Sequence, residues 1–152
     1  MEELQEAVGS KLTVGGTVEN KRAHLEVIQN VINRLSRNSF LLKGWCVVLV
    51  SALFALAGGI SNIFFVYIAY FPLLAFWVLD AYFLHQERLF RALYDYVRGL
   101  QEENIDFSMD TSIVKEKVSS WFNVIFSKTL LIFHLTILVS IVAVMVAMIV
   151  IN

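Results

Sequence analysis

Residues 44–79, GWCVVLVSALFALAGGISNIFFVYIAYFPLLAFWVL, contain no Asp, Glu, Lys or Arg. A charge-free run of that length is costly to hold in water and stable in lipid. Residues 129–152 are a second such run. With 58% hydrophobic residues, 16% charged residues and a mean hydropathy of +0.69, the chain is too apolar for an ordinary soluble domain of 152 residues. These features predict an all-α membrane protein.

The 44–79 run spans 36 residues, too many for one crossing of about 20. Gly58-Gly59-Ile60-Ser61-Asn62 divides it. Paired glycines are expected to end the first helix, and Ser61 or Asn62 to cap the next. The expected spans are 41–57 and 63–79. The third is 129–152, of which 129–151 reaches about 34 Å as a helix. All 12 Lys and Arg lie in 1–43 or 80–128. By the positive-inside rule the N-terminus and 80–128 are expected to be cytoplasmic, with the 58–62 turn and Asn152 at the outer face. Trp45, Trp77 and Trp121 fall near the expected cytoplasmic boundary. The polar opening MEELQEAVGS does not resemble a signal peptide, so the first apolar run reads as a retained membrane anchor.

Around the spans, four segments are expected. Residues 1–18, with three glycines, read as a mobile cytoplasmic end. Residues 19–101 read as a helical hairpin whose arms continue out of the first two spans. Leu25, Ile28, Ile32 and Leu35 form the apolar stripe of one arm; Tyr82, Leu89, Leu93, Tyr96 and Leu100 form that of the other. Residues 102–128 begin in an acidic loop. They continue as an amphipathic helix, capped by Asp110 or Thr111, that lies in the interface or packs on the hairpin. Residues 129–152 are the last span.

Counting back from the turn sets Lys43 and Asp80 at similar depth, a structural ion pair between helices. The same register sets Arg34 and Arg37 opposite a region that includes Glu87, a second expected pairing. His134 lies about one turn inside the third span. It is either a functional ionisable group or a neutral imidazole near the cytoplasmic end that bonds a neighbouring helix or snorkels. Ser51, Ala55 and Gly58 in the first span, and Ser140, Ala143 and Ala147 in the third, are small residues that let helices approach closely. Three short spans enclose no water pathway alone. A pore is therefore expected only in an oligomer, lined by Thr136 and Ser140 or by Ser51.

No GxSxG, Walker loop, HExxH, paired CxxC or DxD signature is present, and Cys46 is the single cysteine. An enzyme, a metal site and a cofactor are not expected. Residues 19–43 carry five basic groups against two acidic ones. His85, Arg88, Arg91 and Arg98 lie among Phe90, Tyr94 and Tyr96. Guanidinium groups beside aromatic planes suit a phosphodiester ligand with stacked bases, but spacing alone favours ordinary positive-inside flanking charge, which also attracts anionic headgroups.

Gln29–Trp45, QNVINRLSRNSFLLKGW, and Leu79–Arg98, LDAYFLHQERLFRALYDYVR, together resemble the small membrane effectors of bacterial anti-phage defence operons, of the Hailong type. The resemblance implies a homo-oligomeric, tetrameric channel in the lipid bilayer. A partner nucleotidyltransferase would make a short oligodeoxyadenylate that holds the channel closed, and its loss would depolarise the cell. It further implies an anionic ligand on the basic cytoplasmic helices, through Arg34, Arg37, Arg88 or Arg91. The alternative expectation is a non-channel scaffold that docks a cytoplasmic partner.

Overall fold

A computed structural model describes the backbone of residues 2–151 and the side chains of residues 19–150. The mobile segment expected over 1–18 lies outside the residues whose side chains are described. The chain is helical, with no strand among the described residues: α1 Glu2–Ile60, α2 Phe64–Ile68, α3 Tyr70–Gly99, α4 Trp121–Ile125 and α5 Lys128–Ile151. Short 3-10 turns cover Glu102–Asn104 and Ser112–Lys117. Three stretches are long and apolar enough to cross a membrane: Glu19–Ile60, Phe64–Gly99 and Lys128–Val150.

The chain divides into two compact units. Unit 1 is Met1–Arg34 with Glu87–Val118; unit 2 is Leu35–Gln86 with Ser119–Asn152. In unit 1, Ile28 and Ile32 of α1 pack with Leu93 and Val97 of α3, and Ile105 and Val114 close the core. The spacings of four within each helix put each pair on one face. Phe107 takes a left-handed φ of 55°, and its ring sits edge-on to buried His24 at 5.5 Å. In unit 2, Cys46, Val50 and Ala57 of α1 pack with Val66, Ala69 and Leu73, and with Ile137 and Ile141 of α5. Cys46 is wholly buried among apolar groups, a small hydrophobe rather than an accessible thiol.

The turn between the first two candidate spans differs from expectation. Gly58 and Gly59 stay helical, no glycine among the described residues has positive φ, and α1 runs through both to Ile60. Ser61 takes the left-handed position at φ 53°. The Asn62 N–H then reaches back to the Ala57 carbonyl at 3.1 Å, which closes a Schellman-type end. The Asn62 side chain accepts from the Phe64 N–H at 2.9 Å. A second break lies at Ala69. Pro72 has no N–H to give the Ile68 carbonyl, so the helix stops at Ile68 and restarts at Tyr70, where proline sits in a first turn.

The single amphipathic helix expected before the last span is also corrected. Ser112–Lys117 is a 3-10 turn, Val118 is extended (φ −115°, ψ 136°), and only Trp121–Ile125 is α-helical. The run Val118-Ser119-Ser120 explains the break: a β-branched residue followed by serines disfavours continuation. The Ser120 carbonyl then starts α4 by accepting from Asn123 and Val124. Asp110 accepts from both the N–H and the hydroxyl of Ser112. The hydroxyl bond, followed by the N–H bond, holds its carboxyl below the usual carboxylate range.

These turns make opposite predictions for neighbouring positions. Gly58→Ala meets nothing within 4 Å and lies in helix, so it is expected to stabilise the fold by about 0.5–1 kcal/mol. Ser61→Val must bear the left-handed strain of a branched side chain and is expected to lose about 1–2 kcal/mol. Unfolding of both variants in detergent, followed by circular dichroism, checks the contrast.

Candidate functional site

The residues expected to carry function fall into two places. The first is a polar cluster in unit 2, where α1, α3 and α5 meet. Ser39 and Lys43 are four residues apart on α1, and Trp77 and Asp80 are three apart on α3, so each pair shares a face. Asp80 is fully buried. Lys43 Nζ lies 2.6 Å from Asp80 Oδ2. The Ser39 hydroxyl donates to Asp80 Oδ1, and Lys43 donates to Ser39 Oγ at 2.9 Å. Serine thus bridges cation and anion, and both carboxylate oxygens face a polar partner. The Lys43 ammonium also stands 5.9 Å from the centre of the Phe133 ring, within cation–π range, which ties the pair to α5.

One turn along α3, the Trp77 indole stacks on His134 of α5, with centroids 5.4 Å apart and planes 10° from parallel. The Trp77 N–H donates to the Ile125 carbonyl at 3.1 Å, which fixes the end of α4. His134 is wholly buried, and its Nδ1 lies 3.0 Å from the Leu130 carbonyl one turn back. The cluster therefore joins four helices through two side chains of α3.

The second place is the surface of unit 1. A groove of about 420 Å³ is lined by Lys21, Arg22, Glu26, Gln29, Tyr94 and Glu102, among others. A smaller one of about 220 Å³ shares Gln29 and Tyr94 with it and adds Arg91 and Asp95. Most cations here already have partners. Lys21 donates to the carbonyls of Arg98 (3.2 Å) and Leu100 (2.7 Å), closing the C-terminal end of α3 where a positive charge suits the helix dipole. Arg22 pairs with Glu26 at 3.0 Å and Arg98 with Asp95 at 3.3 Å.

Glu87 pairs with Arg91 of its own helix at 2.8 Å, and not with Arg34 or Arg37 as the turn register suggested. An i,i+4 partner on the same helix is already close, whereas a cross-helix partner must be positioned by packing. Arg34 and Arg37 are exposed and Arg88 half-buried, none with an ion-pair partner among the described residues. Of the four arginines, only Arg91 lines the smaller groove. Arg37 belongs to unit 2 and the other three to unit 1.

The polar residues of the candidate spans are placed as follows. Ser51, Thr136 and Ser140 are exposed. The Thr136 and Ser140 hydroxyls donate to the carbonyls of Ile132 and Thr136, at 2.7 and 2.9 Å, so each is satisfied within α5. Among the described residues, no cluster of His, Cys, Asp and Glu could hold a metal ion. Ser39 was not singled out by sequence, although it lies one helical turn from Lys43, and Trp77 was read only as an interfacial tryptophan.

Breaking a buried pair from one side strands a charge. Asp80→Asn or Lys43→Met alone is expected to cost about 3–5 kcal/mol, and the double variant less than the sum. A double-mutant cycle on unfolding in detergent measures this coupling, and additivity within about 0.5 kcal/mol would remove the clasp from the fold's support.

Comparison of the chain with protein-family models, with curated proteins and with solved structures found no match.

Proposed function

We propose that the protein is a homo-oligomeric membrane effector whose spans assemble into a conduit, opened and closed from a cytoplasmic helical base. The carrying observation is the exposed face of α5. Thr136, Ser140, Ala143 and Ala147 recur at spacings of four, three and four, so they share one helix face, and all four are exposed in the single chain. Only 22% of the apolar window of α5 is buried. A small-residue face on a span permits close packing of backbones, and copies of the chain can supply the second surface. The satisfied hydroxyls of Thr136 and Ser140 allow this face to sit in a dry interface or beside water.

In this reading the basic residues lie on the cytoplasmic side and hold the base there. The ligand is an anionic nucleotide, a short oligodeoxyadenylate by the resemblance of 29–45 and 79–98. Arg91, Tyr94 and Gln29 offer a cation, an aromatic face and an amide along one groove, with Arg34 and Arg88 available for further phosphates. Release of the ligand opens the conduit and dissipates the membrane potential, the output of a defence effector. A second reading, a scaffold that docks a cytoplasmic partner, draws on Val27, Phe107 and Ile113, which are exposed apolar residues of unit 1.

Reconstituted in dye-loaded liposomes, the protein is expected to leak without ligand and to seal with oligodeoxyadenylate. Ser140→Leu is expected to reduce both the leak and the oligomer seen by native mass spectrometry. A monomer that leaves liposomes tight under every condition contradicts the conduit and favours the scaffold. A leak that Arg91→Ala leaves fully sensitive to oligodeoxyadenylate removes the groove from the proposal.

A further inference from the structure

Within unit 2, His134 Nε2 is a buried basic nitrogen with no hydrogen-bond partner. Its state follows from its neighbour. The Leu130 oxygen can only accept, so Nδ1 at 3.0 Å must carry the ring proton. Nε2 then holds a free lone pair in a site with no exposure. A buried polar atom left unsatisfied is destabilising, and one retained in an ionisable ring inside a candidate span is a functional candidate.

Burial opposes a charge on this ring, and two features of its surroundings bear on a charge change. One face of the ring is covered by the Trp77 indole, 5.4 Å away and near parallel, and an aromatic face attracts a cation. The charged groups that bear on His134 are Asp80 of α3 and Lys43 of α1, already joined as an ion pair. The α4 segment, WFNVI, contributes no titratable side chain. One anion therefore serves one cation, and a second cation at His134 would compete for it.

We propose that His134 Nε2 is a proton-binding site that controls the Lys43–Asp80 clasp between α1 and α3. A proton from water adds to the Nε2 lone pair, forms an N–H bond and leaves an imidazolium stacked on Trp77. That charge repels Lys43 and draws Asp80, which loosens the direct pair and its Ser39 bridge. Loss of the proton restores the clasp. The site requires no nucleotide, so it can fail or stand independently of the conduit.

Trp77 reports the event directly, because a stacked imidazolium quenches indole fluorescence more strongly than neutral imidazole does. The experiment uses the full chain in lipid nanodiscs with Trp45→Phe and Trp121→Phe, leaving Trp77 as the only tryptophan of the three. Emission is expected to fall in one transition between about pH 7 and pH 4, because burial makes the ring harder to charge. His134→Gln should abolish the transition. Lys43→Met removes a repelling cation and should raise the midpoint by about one pH unit, a tenfold gain in proton affinity. Asp80→Asn removes an attracting anion and should lower it. Flat emission across this range in the Trp77-only protein, or a transition that survives His134→Gln, overturns the proposal. A midpoint that neither Lys43→Met nor Asp80→Asn moves overturns the link to the clasp.

Discussion

Asp80 is a carboxylate with no solvent around it, and unit 2 is arranged to make that tolerable. An isolated ion in a dry interior costs several kcal/mol, and a bare pair recovers that only with good geometry and further hydrogen bonds. Lys43 supplies the opposite charge and Ser39 links both groups. The consequence is a fixed register between α1 and α3. A slide of either helix by one residue would rotate one partner off the shared face and leave the other charged and buried. Trp77, one turn from Asp80, extends the same register to α5 through His134 and to α4 through the Ile125 carbonyl.

Unit 1 uses charge differently. Lys21 of α1 closes the carbonyl end of α3, and the apolar faces of the two helices meet around Ile28, Ile32, Leu93 and Val97. Arg22, Arg91 and Arg98 are each paired within a turn of their own helix. What looks in sequence like a basic surface is therefore partly neutralised. Among the described residues, and Lys21 aside, the unit 1 cations without an ion-pair partner are Arg34, Arg88, Lys115 and Lys117, the last standing over the Tyr96 ring. A nucleotide ligand would gain less from bulk charge than from the few groups, such as Tyr94 and Gln29, that line a shared groove.

Charge exclusion made the three long apolar helices legible, since no partner or turn is needed to see that 44–79 and 129–152 lack Asp, Glu, Lys and Arg. The apolar stripes of α1 and α3 were legible for the same reason: periodicity reports burial. What escaped was chemistry at single positions. Two glycines at 58–59 looked like a turn, but a glycine only permits a left-handed conformation; the chain takes it at Ser61, where Asn62 can cap. Pro72 acted through a missing N–H four residues from its acceptor. The 111–127 segment had helical spacing but also Val118, Ser119 and Ser120, and local backbone preferences outweighed the pattern. Glu87 had a nearer partner than the one across the hairpin. The Lys43–Asp80 register could be counted from the turn, whereas Trp77 stacked on His134 joins residues 57 positions apart with no sequence signal for the contact.

We propose that the three long apolar helices cross a bilayer, with the 58–62 turn and the 101–110 loop reached from opposite sides. Side-specific labelling of single cysteines tests it most directly, in a Cys46→Ala background and in intact cells with an impermeant maleimide. Asn62→Cys, in the turn, is expected to label from outside, and Glu103→Cys, in the acidic loop, only after the membrane is permeabilised. Labelling of both positions from the same side would contradict the claim.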